Sequence, residues 1–403
     1  MKEEKEKLTP WMVQFYEIKE QYKDCILFFR MWDFYEMFDE DANIAHRVLW
    51  IAVTSRNKNA KNPIPLAWIP YHAKEKYLPQ LVKAGYKVAI AEQVSDPKAK
   101  WIVKREVQRV VSPSTLSLEW EGYEDSKFLQ NIILSISENR GKYWISFLDL
   151  ATNKWTTWEF KSFEKLKWEL YKLSPKEVIL DKELFNNIEI KDILTKKYSL
   201  NIFYFTWTKK YKNILLNHFG VKNLEWFGLE GRELAIKSSS LLLEYLKSNQ
   251  KSEFEFLNKI SFDTFSNYMD IDESTIKNLD LIYNFSTKSS TIWTLFWVLN
   301  KTKTASWTRF LRDQIIKPLQ DIEEIRKRQN MIEEFLNSPV LLDKVQWHLK
   351  YVSDVDTILN RLALNRALPR DLLNLKRSLE SIVEVMKIIK DIWSEKLIKI
   401  LEL

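Results

Sequence analysis

Six glycines and seventeen tryptophans in 403 residues set the tightest limit on what this chain can fold into. Glycine makes up about 7% of an ordinary globular sequence, so roughly 28 would be usual here. Turns and helix ends use φ > 0, which glycine adopts at no steric cost and bulky residues resist. A chain this poor in glycine must put other side chains into such turns. Tryptophan is the residue in excess.

The remaining composition is that of a folded protein. Apolar residues make up 45%, enough for sizeable cores in two to four domains. The formal charge is +7 and the pI about 9.0, which permits a polyanionic partner without demanding one. Cys25 is the one cysteine, so neither an internal disulfide nor a cysteine-rich zinc site is available. No long apolar run reads as a membrane span, and the first residues lack a signal-peptide core. A cytosolic protein is the expectation.

Patterning divides the chain into three parts. Residues 1–117 mix short strands and helices, with strands expected at 26–29, 34–37, 87–91 and 107–111 and helices at 39–49 and 71–84. Residues 118–250 open on an acidic, polar linker (118–130). A second α/β unit follows, with strands at 131–137, 143–150 and 155–160, a helix at 163–173, a strand at 177–180 and a long helix at 229–246. From 251 to 403 the chain is mostly helical. Asp321 with Glu324 reads as a capping box. Pro369 opens a last helix whose apolar stripe runs Leu372, Leu375, Leu379, Ile382, Met386 and Ile389.

The segment from Leu27 to Phe38 carries the chemistry. Met31–Asp33 reads as a turn and Phe34 begins a new extended piece. Residues two apart on a strand share a face, so Phe34 and Glu36 can enter one groove together. A flat ring can slip between base steps, and a carboxylate can accept a hydrogen bond from one base. That pairing suits a protein that tests how easily DNA kinks. Taken alone, the pair reads more simply as a core aromatic beside a surface acid than as a reader of DNA.

The wider pattern decides between these. Leu27 through Phe38, the run Ile64-Pro65-Leu66-Ala67-Trp68-Ile69-Pro70-Tyr71-His72-Ala73, Ala91-Glu92-Gln93 and Ser112-Pro113 together resemble the mismatch-binding domain of the MutS family. Further matches follow in order: Leu215-Leu216-x-His218-Phe219-Gly220, Thr302-x-Thr304-x-x-Trp307-x-Arg309, and Arg361-Leu362-Ala363-Leu364-x-Arg366-Ala367-x-Pro369-Arg370-Asp371. The resemblance covers nearly the whole chain. It implies a multidomain α/β plus all-α protein: a mixed α/β mismatch-binding domain (1–117), an RNase H-like α/β connector (118–250) and a truncated helical core and lever domain (251–403). It implies Phe34 and Glu36 as the mismatch-reading pair, with Arg56, Lys58 and Arg109 as contacts to the DNA backbone; Met31 is either support beside the wedge or a plain strand residue. Such contacts position a protein but specify no sequence. For the full-length family the resemblance implies a homodimer, a downstream repair partner of the MutL type, and ATP with Mg in a domain beyond residue 403. This stretch has no Gly-x-x-x-x-Gly-Lys loop, so it is expected to be no enzyme by itself. A bacterial cytosolic, nucleoid-associated location follows, with no membrane partner.

Two rival readings stand beside this one. Asp149, at the end of the 143–150 strand, lies where a two-metal RNase H-like nuclease would hold a ligand, and Asp181 could be a second. A pure scaffold without recognition of its own is the other, against which the Phe34–Glu36 motif speaks. His72 has no partner at metal-ligand spacing.

The resemblance also gives the odd composition a meaning. Trp32 and Trp68 stand where the two motifs carry glycine. The same comparison marks Trp101, Trp226 and Trp307, and extends to Trp50, Trp144, Trp155 and Trp297. A UGA codon read as glycine in the source genome and as tryptophan under a common alternative table explains both the excess and the deficit.

Overall fold

The structure is a computed structural model that describes residues 9–55, 63–95, 103–116, 131–205, 210–262, 268–283 and 291–392. The expected linker at 118–130 lies outside these residues, as do Arg56, Lys58 and Trp101.

The first sheet has the order β3-β4-β2-β1-β5-β6. Its strands are β1 (Cys25–Met31), β2 (Phe34–Phe38), β3 (Thr54–Ser55), β4 (Pro65–Pro70), β5 (Lys87–Gln93) and β6 (Arg105–Val111). β1 and β5 run parallel, and the other neighbours are antiparallel. Alternation along the strands makes two apolar faces. Ile26, Phe28, Tyr35, Met37, Ala67 and Ile69 pack on one side against the helices α2 (Asp39–Leu49) and α3 (Lys74–Lys83). Leu27, Phe29 and Phe38 pack on the other, under Met12, Phe15 and Ile18 of α1 (Pro10–Gln21). Phe15 meets Phe38 and Phe29 edge-on at 4.8 and 5.4 Å. Each such buried ring contributes roughly 1.5–3 kcal/mol by leaving water. Three acids in the first turn of α2 suit the positive end of its dipole. One of them, Asp41, is buried and accepts from Leu27 N (3.0 Å) and Lys19 Nζ (2.8 Å), tying α2 to β1 and α1.

The second sheet has the order β11-β10-β7-β8-β9-β12. β7 (Ile132–Asn139), β8 (Lys142–Asp149) and β9 (Lys154–Phe160) form an antiparallel meander. β10 (Glu177–Leu180) and β11 (Asn201–Tyr204) extend it in parallel beside β7. β12 (Ser261–Phe262) adds to β9, so this sheet runs past the boundary expected at residue 250. Two residues are too few to show a period, which is why β12 has no signature in the sequence. The helix Glu233–Gln250 covers one face and Phe163–Leu173 the other.

The third part is helical, and it is tied to the second by buried polar bonds. Arg312 donates to Lys172 O at 2.7 Å, and Asn360 donates to Leu150 O at 2.6 Å. Asp321 caps the helix Ile322–Leu336 by accepting from Glu324 N at 2.9 Å. Pro369 opens the helix Pro369–Ile392 as expected, but its apolar stripe is not buried: Leu372, Leu379 and Met386 are exposed. Periodicity shows which residues share a face, not whether anything covers it.

Candidate nucleic-acid interface

β1 and β2 form a hairpin in which Met31 pairs with Phe34, leaving Trp32 and Asp33 as a two-residue turn. Tyr35 and Met37 point into the helix-covered core, so Phe34 and Glu36 point the other way. On that face α1 covers Phe38 and Phe29. Phe34, at the far end of β2, is 39% exposed. The ring beside it is Trp68, edge-on at 4.8 Å. Across the sheet Phe29, Glu36 and Trp68 fall in one row. Met31 is half-buried at the hairpin end and lines, with Trp11, Trp32 and Arg105, a cleft of about 230 Å³.

Arg105 completes this end. It pairs with Gln93 on β5 and stacks over the Phe29 ring at 5.0 Å. Its guanidinium donates to Arg30 O (2.6 Å) and Val103 O (2.8 Å). Burial lowers its pKa, and the neighbouring Glu36 carboxylate counteracts that shift. Glu36 therefore sits in the field of a fixed cation. The sequence reading missed Arg105 because its place depends on the β5–β6 register, which slips between Ile90 and Ala91.

The hairpin has a rigid base. The Arg30 guanidinium lies 3.8 Å from the centre of the Tyr71 ring, and its Nη1 is 3.8 Å from Glu92. The Tyr35 hydroxyl donates to Glu92, and burial with that bond pushes its pKa well up. Tyr71 N donates to Asp33 O at 2.9 Å, fixing the turn to the end of β4. Tyr71 thus belongs to the frame. Arg109 pairs with Ile90, whose side chain is in the core under α2 and α3, so it faces away from Phe34.

The carboxylates of the second sheet are differently placed. Asp149 is buried and accepts from Asn131 N, Ala151 N and the Thr152 hydroxyl, each at 3.0 Å. Burial raises its pKa, and the two N–H donors oppose the rise. Asp181 caps the helix Lys182–Asn186 through Leu184 N at 2.9 Å and pairs with Lys237 at 2.6 Å. Both serve the chain itself, and no group of three or more His, Cys, Asp or Glu among the described residues could hold a metal ion. The nuclease expectation finds no support here.

Fold and surface define a three-part protein whose first sheet presents an aromatic–carboxylate pair at an uncovered end. Residues 9–119, 131–261 and 274–400 match the family models MutS domain I, MutS domain II and MutS domain III. The relatives include the DNA mismatch repair protein MutS of Lachnoclostridium phytofermentans, 36% identical over 386 residues (94% of this chain, 41% of the relative). Those of Methanococcoides burtonii and Halothermothrix orenii are 35% and 37% identical, over 96% and 94% of this chain and 44% and 42% of their own. The chain belongs to the MutS family. It spans about two fifths of the length of these relatives. No helix among the described residues is long and apolar enough to cross a membrane.

Proposed function

We propose that this chain recognises mismatched or looped base pairs in double-stranded DNA at the start of mismatch repair. The observation that carries the reading is Phe34 exposed, with Glu36 on the same strand face, at the end of the sheet that α1 leaves open. Mispaired steps stack poorly, so separating them costs less than the few kcal/mol a paired step demands. Phe34 enters from the minor groove and stacks on one mispaired base. Glu36 accepts a hydrogen bond from that base, and its charge penalises DNA that offers none. Arg105 holds Glu36 in place, Met31 supports the wedge, and Arg56 and Lys58 meet the backbone. Arg109 meets the backbone from the face of the sheet away from Phe34.

The wider reading follows the family. The second unit is an RNase H-like connector, a view supported by its meander flanked by two parallel strands. The full-length protein works as a cytosolic, nucleoid-associated homodimer, uses ATP with Mg and hands over to a MutL-type partner. Fluorescence anisotropy on matched and mismatched duplexes, in a full-length protein carrying these domains, tests the central claim. Equal affinity for both duplexes would defeat it.

A further inference from the structure

All five described glycines, Gly85, Gly141, Gly220, Gly228 and Gly231, have positive φ. Three tryptophans share that conformation: Trp32 at +54°, Trp50 at +56° and Trp293 at +66°. Left-handed backbone brings a β-carbon against the following carbonyl oxygen and costs roughly 1–2 kcal/mol. Asparagine and aspartate offset this by local hydrogen bonds; an indole has no atom placed to do so.

The local geometry at these positions is that of glycine. Trp50 ends α2 with φ 56° and ψ 32°, its N–H donating to His46 O. Gly220 ends the helix Tyr211–Phe219 with φ 64° and ψ 32°, its N–H donating to Leu216 O. The two caps are the same αL closure, which favours glycine. Ser174 and Lys251 close helices this way too, so the cap tolerates a side chain. What sets Trp50 apart is a large apolar side chain left 88% exposed, with no packing to offset the strain. Trp32 is the first residue of a two-residue hairpin turn, with positive φ there and not at Asp33. That is the pattern of a type II′ turn, which takes glycine first. Trp293 is also exposed.

Other tryptophans occupy real indole sites. Trp155 is buried in the second sheet, its ring 5.9 Å from Phe219, and its N–H donates to Ser146 Oγ at 2.8 Å. Trp158 is buried between Phe147 and Lys317, with ring-centre distances of 4.4 Å to each. Trp155 therefore leaves the set of glycine positions expected from sequence.

We propose that these two populations are written by two codons. UGG encodes Trp155 and Trp158. UGA encodes positions 32, 50 and 293, and the source cell reads it as glycine. The natural protein then has a glycine hairpin tip two residues before Phe34, and the exposed indole of residue 32 is absent from the hairpin end.

The test is tandem mass spectrometry of peptides from the protein isolated from its source cell, with the gene sequenced alongside. The expected result is glycine at 32, 50 and 293, tryptophan at 155 and 158, and codons sorted the same way. Tryptophan at any of the three positions overturns the proposal, as does glycine at 155 or 158, or one codon serving both populations.

Discussion

Glu36 lies on an inner strand of the first sheet, and Asp149 ends an inner strand of the second. Both are carboxylates on sheets with helices packed against them. Asp149 is buried, and two N–H groups and a hydroxyl converge on it. Glu36 is half-buried, beside an exposed ring and a buried guanidinium. The acid that looks like a metal ligand from its place in the fold is a loop clamp. The acid that looks like an ordinary surface residue stands beside Phe34, at the edge proposed for recognition. Neighbours, not fold position, separate the two.

The sharpest way to break this comparison is to remove the clamp. Asp149→Ala leaves the Asn131 and Ala151 N–H groups and the Thr152 hydroxyl without their acceptor inside the protein. Unmet buried donors cost about 1–3 kcal/mol each before relaxation, so a loss of about 3 kcal/mol in stability is expected. Thermal unfolding measures it. The ratio of mismatched to matched DNA affinity should not move at a temperature where the variant is folded. A changed ratio with intact stability would place Asp149 in the function instead.

Phe34→Ala should do the reverse. The ring is partly exposed and its loss costs the fold little. Stacking of a base on an aromatic ring is worth roughly 1–3 kcal/mol, so mismatch preference should fall about ten- to a hundredfold. Weak, salt-sensitive binding should persist, because it comes from phosphate contacts. Anisotropy titrations at two salt concentrations separate these parts, and an unchanged preference would remove Phe34 from the wedge role.

Glu36→Ala should act more gently and with a different signature. It removes a hydrogen bond to the mispaired base and also a repulsion against any duplex. Affinity for matched DNA should hold or rise, while the mismatch ratio drops by about the tenfold that one charged hydrogen bond of ~1.5 kcal/mol supports. A parallel fall on both duplexes would mean that Glu36 only anchors Arg105.

The same contrast explains what could be read in advance. Phe34 and Glu36 were legible because a strand's period of two is local, as were the Asp321 cap and Pro369 at its helix start. Arg105 was not, because it bonds to Arg30, 75 residues away, and a bulge shifts the register of its strand. Arg109, four residues later, is a backbone contact on the strength of the family resemblance, which does not tell which face it occupies; that same bulge helps set it. Asp149 was read from an analogy of fold position, which says nothing of the N–H groups that fill its coordination. The stripe on the last helix was legible as a face, but its exposure was not.

The smallest effect expected is also the one that joins composition to structure. Trp50→Gly should stabilise a protein made with tryptophan at that position, by about 1 kcal/mol. The αL penalty of roughly 1–2 kcal/mol disappears, while the extra freedom glycine gives the unfolded chain takes back part of it. At 88% exposure the indole gives up little packing when it leaves. The cap bond from residue 50 N–H to His46 O is kept, since it belongs to the backbone. The readout is a rise in thermal midpoint with DNA affinity unchanged, because α2 packs on the face of the sheet away from Phe34. A fall in midpoint would mean that the indole stabilises this corner more than its exposure allows, and the cap at residue 50 would then be no glycine site.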